Sequence, residues 1–402
     1  MKPIRPDDLV YLDNNATTRA DPVVVAAMLP HFSERFGNPS SAHGFGAGAR
    51  EAVRFARRQV QALLGAASEQ EILFTSGGSE SDNTAILSAV DVMAGRNEVI
   101  VSAVEHPAVL SLCHRLEARR GIRVHRIPVN TLGQLDLDAY RAVLSEHTAV
   151  VSIMWANNET GTIFPIDDLA DMAKEVGALF HTDAVQAAGR LPLDLKATAI
   201  DMLSLSAHKL HGPKGVGMLY VRHGCPFSPL IYGGRQERAR RAGTENVPGI
   251  VGLGQAAEIA RISVSEDMPH ITRLRDRLER GLLQSIGGAL INGDPSRRLA
   301  NTSNIAFEGI ESEAFVALLD RQGIACSSGS ACSSGSMEPS HVLKAMMVPQ
   351  DFLPGAVRFS LSRDNNEADI DRLLSVAPDV VASLRGQTFE ASVLQSAGLA
   401  HV

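Results

Sequence analysis

Met202-Leu203-Ser204-Leu205-Ser206-Ala207-His208-Lys209-Leu210-His211-Gly212-Pro213-Lys214-Gly215 is an apolar, strand-like run that ends in Ser-Ala-His-Lys and passes into a Gly/Pro-rich turn. A lysine just past a buried strand is open to desolvation, which lowers an amine's pKa and makes it nucleophilic. Upstream, Phe180-His181-Thr182-Asp183-Ala184-Val185-Gln186 ends a second apolar run in a carboxylate. A strand-end lysine and a strand-end acid are the pair that a pyridine-ring aldehyde cofactor requires. The lysine tethers the aldehyde, and the acid keeps the ring nitrogen protonated.

Working outward, short β-rich runs at 71–75, 98–102, 124–128, 149–154, 179–182, 202–205 and 216–221 alternate with helical stretches such as 79–93, 108–120, 136–144 and 167–176. That alternation predicts an α/β fold, with a mostly parallel central sheet and flanking helices. Ligands of such sheets bind at the carboxyl ends of the strands, where Asp183 and the Ser206-Ala207-His208-Lys209 cluster fall. After about residue 260 the pattern changes. Helices at 271–283, 311–321 and 367–384 and strands at 302–307 and 357–361 predict a smaller α+β domain. The expected division is 15–260 for a large cofactor-binding domain, 1–14 with 261–385 for the small one, and 386–402 for a weakly periodic tail with partial disorder.

The chain has 402 residues, 45% hydrophobic and 21% charged, with net charge −7, the composition of an ordinary globular enzyme. No basic face for nucleic acid is visible. No apolar run approaches the roughly 20 residues needed to span a bilayer, and Met1-Lys2-Pro3-Ile4-Arg5-Pro6-Asp7-Asp8 lacks a signal-peptide core, so a cytoplasmic location is expected. Four cysteines do not make a disulfide framework, and none form a Cys-x-x-Cys pair.

Several further clusters carry chemistry. Phe74-Thr75-Ser76-Gly77-Gly78-Ser79-Glu80-Ser81-Asp82-Asn83 reads as strand, Gly-rich turn and helix start, either a capped helix or an anion cradle of backbone N–H groups. His106, in Val104-Glu105-His106-Pro107, is either a satisfied loop histidine or a group that stacks on a flat ring and relays protons. In Trp155-Ala156-Asn157-Asn158-Glu159-Thr160-Gly161 the asparagines serve turn chemistry or bond a cofactor oxygen and a substrate carboxylate. The arginine-rich loop 233–246 is either a solvated basic loop or a closure over a phosphate, one in a neighbouring subunit included. Arg358 in an apolar strand demands a partner, which is a substrate carboxylate or a structural ion pair. Cys332 lies in Ser328-Gly329-Ser330-Ala331-Cys332-Ser333-Ser334-Gly335-Ser336, the small, polar setting that a travelling thiol nucleophile needs. Cys326 follows the apolar Gly323-Ile324-Ala325 and is expected at a strand end. Two cysteines six positions apart, with no second ligand pair, do not make metal-ligand spacing.

Together these stretches resemble the cysteine desulfurases of the NifS/IscS type, fold-type I pyridoxal-phosphate enzymes of the class-V aminotransferase family. The similarity is carried by Tyr11-Leu12-Asp13-Asn14-Asn15-Ala16-Thr17-Thr18, Gly37-Asn38-Pro39-Ser40-Ser41, the chemistry-bearing segments already named, and Glu338-Pro339-Ser340-His341, in order from about residue 11 to about 375. The resemblance implies pyridoxal 5'-phosphate as cofactor, with Lys209 as its covalent anchor, Asp183 on the ring nitrogen, Gln186 on the ring hydroxyl oxygen and His106 stacked on the ring. It implies that Gly78, Ser79, Ser206 and His208 hold the phosphate and that Thr244 reaches the partner subunit's phosphate in a homodimer. Asn158 and Arg358 would hold the substrate carboxylate, and Cys332 would accept the sulfur. No resident metal is implied; Cys332 alone is placed to ligate an iron–sulfur cluster transiently. Two departures from the family pattern stand out: Arg235 where a third glycine is common, and Ala242 where serine is common.

The implied reaction takes sulfur from L-cysteine, leaving alanine and a persulfide on Cys332. The persulfide then passes to an acceptor such as an iron–sulfur scaffold protein, for nitrogenase or for general cluster assembly. A selenocysteine lyase is the nearest alternative. It relies less on a loop thiol, and the Ser/Gly-rich setting of Cys332 favours the desulfurase.

Overall fold

The computed structural model describes the backbone of residues 9–328 and 339–396. Cys332, Glu338 and the first eight residues lie outside the described residues. The chain opens with β1 (Val10–Tyr11), α1 (Pro22–Met28), α2 (Pro30–Ser33) and α3 (Gly44–Leu64). Strand and helix then alternate: β2 (Ile72–Thr75), α4 (Gly78–Val92), β3 (Glu98–Ser102), α5 (Pro107–Arg120), β4 (Arg123–Ile127), α6 (Leu137–Val143), β5 (Thr148–Ser152), α7 (Ile166–Glu175), β6 (Leu179–Asp183), β7 (Met202–Ser206) and β8 (Gly217–Val221). After α8 (Val247–Ser285) come β9 (Ala289–Asn292), β10 (Thr302–Phe307), α9 (Ser312–Arg321), β11 (Ile324–Ala325), β12 (Ser327–Ser328), α10 (His341–Ala345), β13 (Ala356–Ser360) and α11 (Glu367–Ser396).

The central sheet has seven strands in the order β2-β8-β7-β6-β5-β3-β4. All pairs are parallel except those made by β8, which runs antiparallel to both β2 and β7. The expected α/β class is therefore present. Its physical basis is the pleat, which points successive side chains to opposite faces. Ile100 and Val151 join one core; Val99, Val101 and Val150 join the other. A strand buried on both faces must be apolar throughout, hence the near-continuous apolar runs. β4 lies at the edge and carries Arg123 and Arg126, charges that discourage pairing with another chain.

A four-stranded antiparallel sheet, β12-β13-β10-β9, lies under α9 and α11, and β1 pairs in parallel with β11. Val10 and Leu12 sit in this second core with Leu274, Phe307, Phe315 and Phe359. The expected change of pattern near residue 260 falls inside α8, a continuous helix of 39 residues. Its first half packs Ile250 and Leu253 into the large core, and its second half packs Leu274 and Leu278 into the small one. The expected weak tail from residue 386 begins as a continuation of α11, helical to Ser396.

Candidate active site

Five strand ends of the large sheet converge. They surround a cavity of about 170 Å³ lined by Asn15, Gly78, Ser79, Asp82, His106, Met154, Ala156, Asn158, Asp183, Val185, Gln186, Ser206, His208 and Lys209.

The first wall is the start of α4. β2 ends at Thr75 and the chain turns through Gly77 into a helix of 15 residues. A Cβ on Gly217 of β8 would lie 2.7 Å from Gly77, and one on Gly78 would lie 3.0 Å from the Val185 side chain. The glycines let the turn sit tightly on the sheet, leaving the first N–H groups and the positive end of the helix dipole facing the cavity.

The second wall is β3 with the turn that leads into α5. Glu105 is fully buried: the Ser102 hydroxyl donates to Oε1 at 2.5 Å, and the Met154 amide donates to both oxygens at 3.0 and 3.1 Å. Burial pushes its carboxyl up to about 8. His106 caps α5, its Nδ1 accepting from the Ala108 amide at 3.1 Å, so the proton of the neutral ring sits on Nε2. Burial, with the nearby charges of Lys209 and His341, lowers its pKa below the ordinary value, and Asp183 opposes the shift.

The asparagines after β5 divide their roles. The Asn157 side chain does turn work, its Oδ1 accepting from the amides of Glu159 (2.9 Å) and Thr160 (3.0 Å). Asn158 lines the cavity.

At the end of β6 the buried Asp183 accepts from the Val185 amide at 2.9 Å. Its pKa is raised by burial and pulled back by His106 and Lys209. A short 3-10 turn, Ala207–Lys209, follows β7 and aims Lys209 at the same space. The Lys209 Nζ donates to the carbonyls of Asn15 and Ala16, the latter at 2.6 Å. His208 shares a hydrogen bond of 3.1 Å with the Thr17 hydroxyl, and burial drives its ring down to about 4. At neutral pH it is therefore a neutral hydrogen-bonding group.

Two expected residues stand apart from this cavity. Arg358, 1% exposed, pairs with Asp13 at 2.7 Å and donates to the Asn158 carbonyl at 3.2 Å, leaving its buried Nε unpartnered. Its ion-pair partner here is Asp13, beside the loop that carries Asn158. Thr244 is exposed and outside the cavity lining. Its loop is not simply solvated. Glu237 makes a buried two-point pair with Arg57 at 2.6 and 2.8 Å, and Arg241 pairs with Glu80 at 2.9 Å. That clamp holds Glu237, Arg238 and Ala239 at φ of 46°, 59° and 63°, the left-handed region that costs non-glycine residues energy. Cys332 lies outside the described residues, but Ser340 and His341 are docked. The Ser340 hydroxyl donates to the buried Glu159 at 2.6 Å, and His341 Nε2 bonds the Glu105 carbonyl at 3.0 Å.

The donor set fits a phosphate-bearing aldehyde cofactor: a glycine-shaped helix start, a buried acid and a lysine line one cavity. The Asp82 Oδ1, buried in the cavity wall without a hydrogen-bond partner, fits a polar ligand as well.

Residues 10–373 match the aminotransferase class-V family model. The chain belongs to the class-V aminotransferase family. A protein of Gluconacetobacter diazotrophicus named cysteine desulfurase is 63% identical over 94% of this chain and 94% of its own length. The Azotobacter vinelandii protein named cysteine desulfurase NifS is 57% identical over 94% of this chain and 93% of its own. A solved structure described as a NifS-like protein superposes with a TM-score of 0.88 at 40% identity, covering 94% of this chain and 100% of that one.

Within this member of the class-V aminotransferase family, two groups at the site escape sequence reasoning. Asp82 follows Ser79 by three positions on α4, which puts both on one helix face, and that spacing is the available signal. Asp82 lies 3.7 Å from His181 Nε2, and His181 bonds Ser152 and Ser204 at 2.8 and 2.9 Å. Burial drives His181 down to about 3, so the ring is neutral. In the sequence Asn15 is only one residue of a motif, yet its carbonyl receives both Lys209 and Gln186. Among the described residues no group of three or more His, Cys, Asp or Glu is gathered to hold a metal ion, and no helix is long and apolar enough to cross a membrane.

Proposed function

We infer that this chain is a cysteine desulfurase that uses pyridoxal 5'-phosphate. The observation that carries the reading is the convergence of Lys209, Asp183, His106 and the α4 helix start on one cavity. Relatives covering nearly the whole chain and named for this activity support it.

The bound cofactor would supply an electron sink for the amino acid's α-carbon. The chain's own residues do the rest. Gly78 and Ser79 with Ser206 and His208 hold the phosphate, His208 as a neutral donor or acceptor. Asp183 keeps the ring nitrogen charged, Gln186 meets the ring oxygen, and His106 covers the ring face. Lys209 anchors the aldehyde and, once released by substrate, moves the proton at the α-carbon; the Asn15 and Ala16 carbonyls are there to receive its ammonium form. Arg358 with Asn158 holds the substrate carboxylate. The Cys332 thiol takes the sulfur: the carbon–sulfur bond of cysteine breaks, a sulfur–sulfur bond forms on Cys332, and the carbon keeps the electron pair and a proton. The balance is cysteine plus protein thiol giving alanine plus protein persulfide.

The large domain at 15–260 and the small one at 1–14 and 261–385 then meet beside this cavity. A homodimer is part of the same proposal. Thr244, Arg235 and Arg238 are exposed and turned to solvent rather than to their own cavity, and Phe32, Phe36, Phe45, Phe55 and Tyr232 form exposed apolar surface for a second copy. The acceptor would be an iron–sulfur scaffold in the cytoplasm. The test is stoichiometric: one alanine released for each persulfide formed when the yellow holoenzyme meets one equivalent of cysteine without reductant.

A further inference from the structure

After β6 the chain makes a helical turn, with the amides of Ala187 and Ala188 on the Ala184 carbonyl and the Arg190 amide on the Ala187 carbonyl at 3.0 Å. Four residues of spacing bring Arg190 back over Gln186. Arg190 Nη1 donates to the Gln186 backbone carbonyl at 2.9 Å and to its side-chain Oε1. A guanidinium has donors and no acceptor, so this contact decides which end of the amide is the oxygen. Gln186 Nε2 is left as a donor at the cavity, on the Asn15 carbonyl at 3.1 Å, the same carbonyl that Lys209 Nζ meets. Arg190 itself lines a smaller hollow of about 40 Å³ on the other side of Lys209. Its guanidinium is pushed down to about 10 by burial and by the charge of Arg358. A cation is thus held directly behind the amide that faces the cofactor site.

We propose that Arg190 is a positioning residue of that site: it locks Gln186 as a hydrogen-bond donor and lends its positive charge, through the amide, to the ring oxygen of the bound cofactor. This rests on the proposed function, in which Gln186 meets that oxygen. When the covalent lysine–cofactor linkage loses its proton, net negative charge is left on this side of the ring. A cation behind Gln186 favours the deprotonated form and so holds the linkage's pKa down. The other charged and titratable groups around it are Asp82 from α4, His106 at the start of α5, Asp183 from β6, and His208 with Lys209 after β7, while His211, Asp267 and Arg363 share the hollow of Arg190. Asp13 and Arg358 lie behind them.

The experiment titrates the visible absorption of the resting holoenzyme, without substrate. Arg190→Met is expected to raise the midpoint by about one pH unit, as loss of one nearby cation does. Arg190→Lys, which restores charge and donor, is expected to bring most of it back. Gln186→Leu should shift the midpoint in the same direction, and adding Arg190→Met to it should change nothing more, because the two residues act as one unit. If Arg190→Met fails to fold, Arg190→Gln, which keeps a donor without the charge, carries the same comparison. A wild-type midpoint in the charge-removing variant, or an undiminished Arg190 effect in the Gln186→Leu background, overturns the proposal. A wild-type chain that takes up no chromophore overturns the cofactor reading and this inference with it; an unmoved midpoint in a yellow variant overturns this inference alone.

Discussion

Arg358→Ala separates the two partners that this arginine has been given. In the structure its guanidinium holds Asp13 at 2.7 Å and the Asn158 carbonyl at 3.2 Å, with the arginine side chain 1% exposed and the aspartate 20% exposed. Removing one member of a fully buried pair costs ~3–5 kcal/mol, but Asp13 keeps part of its hydration, so the stability loss should be smaller, about 1–3 kcal/mol. The substrate term is separate. Truncating one side of a desolvated charge pair costs about 2–5 kcal/mol, which lowers kcat/KM for cysteine by a factor of about 30 to several thousand, chiefly through KM. The assays are alanine release over a range of cysteine concentrations and urea unfolding followed by circular dichroism. The double variant Asp13→Asn/Arg358→Ala removes the stranded carboxylate, so it should recover stability and leave KM as poor as in the single variant. A single variant that unfolds more easily yet keeps the wild-type KM, or a double variant that restores both quantities, would refute the substrate clamp and leave Arg358 a structural residue.

Two further outcomes are expected. Lys209→Ala should lose the visible band and the lysine adduct fixed by borohydride, with cofactor still retained weakly at the α4 helix start; an adduct on Lys214 instead would move the anchor. Burial raises Glu105 from its ordinary 4.5 to about 8, so the folded chain binds a proton there that the unfolded chain has released. Its contribution to stability is therefore full at acid pH and is lost as pH rises from near 4.5 through about 8. Glu105→Gln should flatten that decline in thermal melts, and an unchanged slope would count against it.

The central sheet was legible because its inner strands are buried on both faces and leave unbroken apolar runs with turn residues between them. β11 and β12 were not, since two-residue strands carry no periodicity and exist only through their pairing with β1 and β13. The unity of α8 was hidden by Gly249, Gly252, Gly254 and an internal Pro269, all poor helix formers. Gly252 and Gly254 are required by tertiary packing, because a Cβ there would lie 2.6 Å from the Met28 sulfur or 2.5 Å from Ala56. In the site, Lys209, Asp183 and His106 could be read because strand-end chemistry is local. The Asp13–Arg358 pair could not, since its partners are 345 residues apart and meet only through the pairing of the β1 segment with the small sheet. Asp82 and Arg190 were hidden differently: Asp82 meets His181 only through the fold, and Arg190 supports Gln186 one helical turn away, a role that leaves no motif.

The most direct test of the central claim is to react holoenzyme with one equivalent of cysteine, alkylate, and map the persulfide-bearing peptide. Burial pushes the thiols of Cys113 and Cys225 up to about 12, and that of the buried Cys326 up as well, so none of the three offers a ready thiolate. The account predicts the extra sulfur on Cys332, one alanine per sulfur, no persulfide in Cys332→Ala, and near-normal turnover in Cys326→Ala. Extra sulfur on Cys326 with activity surviving in Cys332→Ala, or alanine released with no protein persulfide, would contradict it.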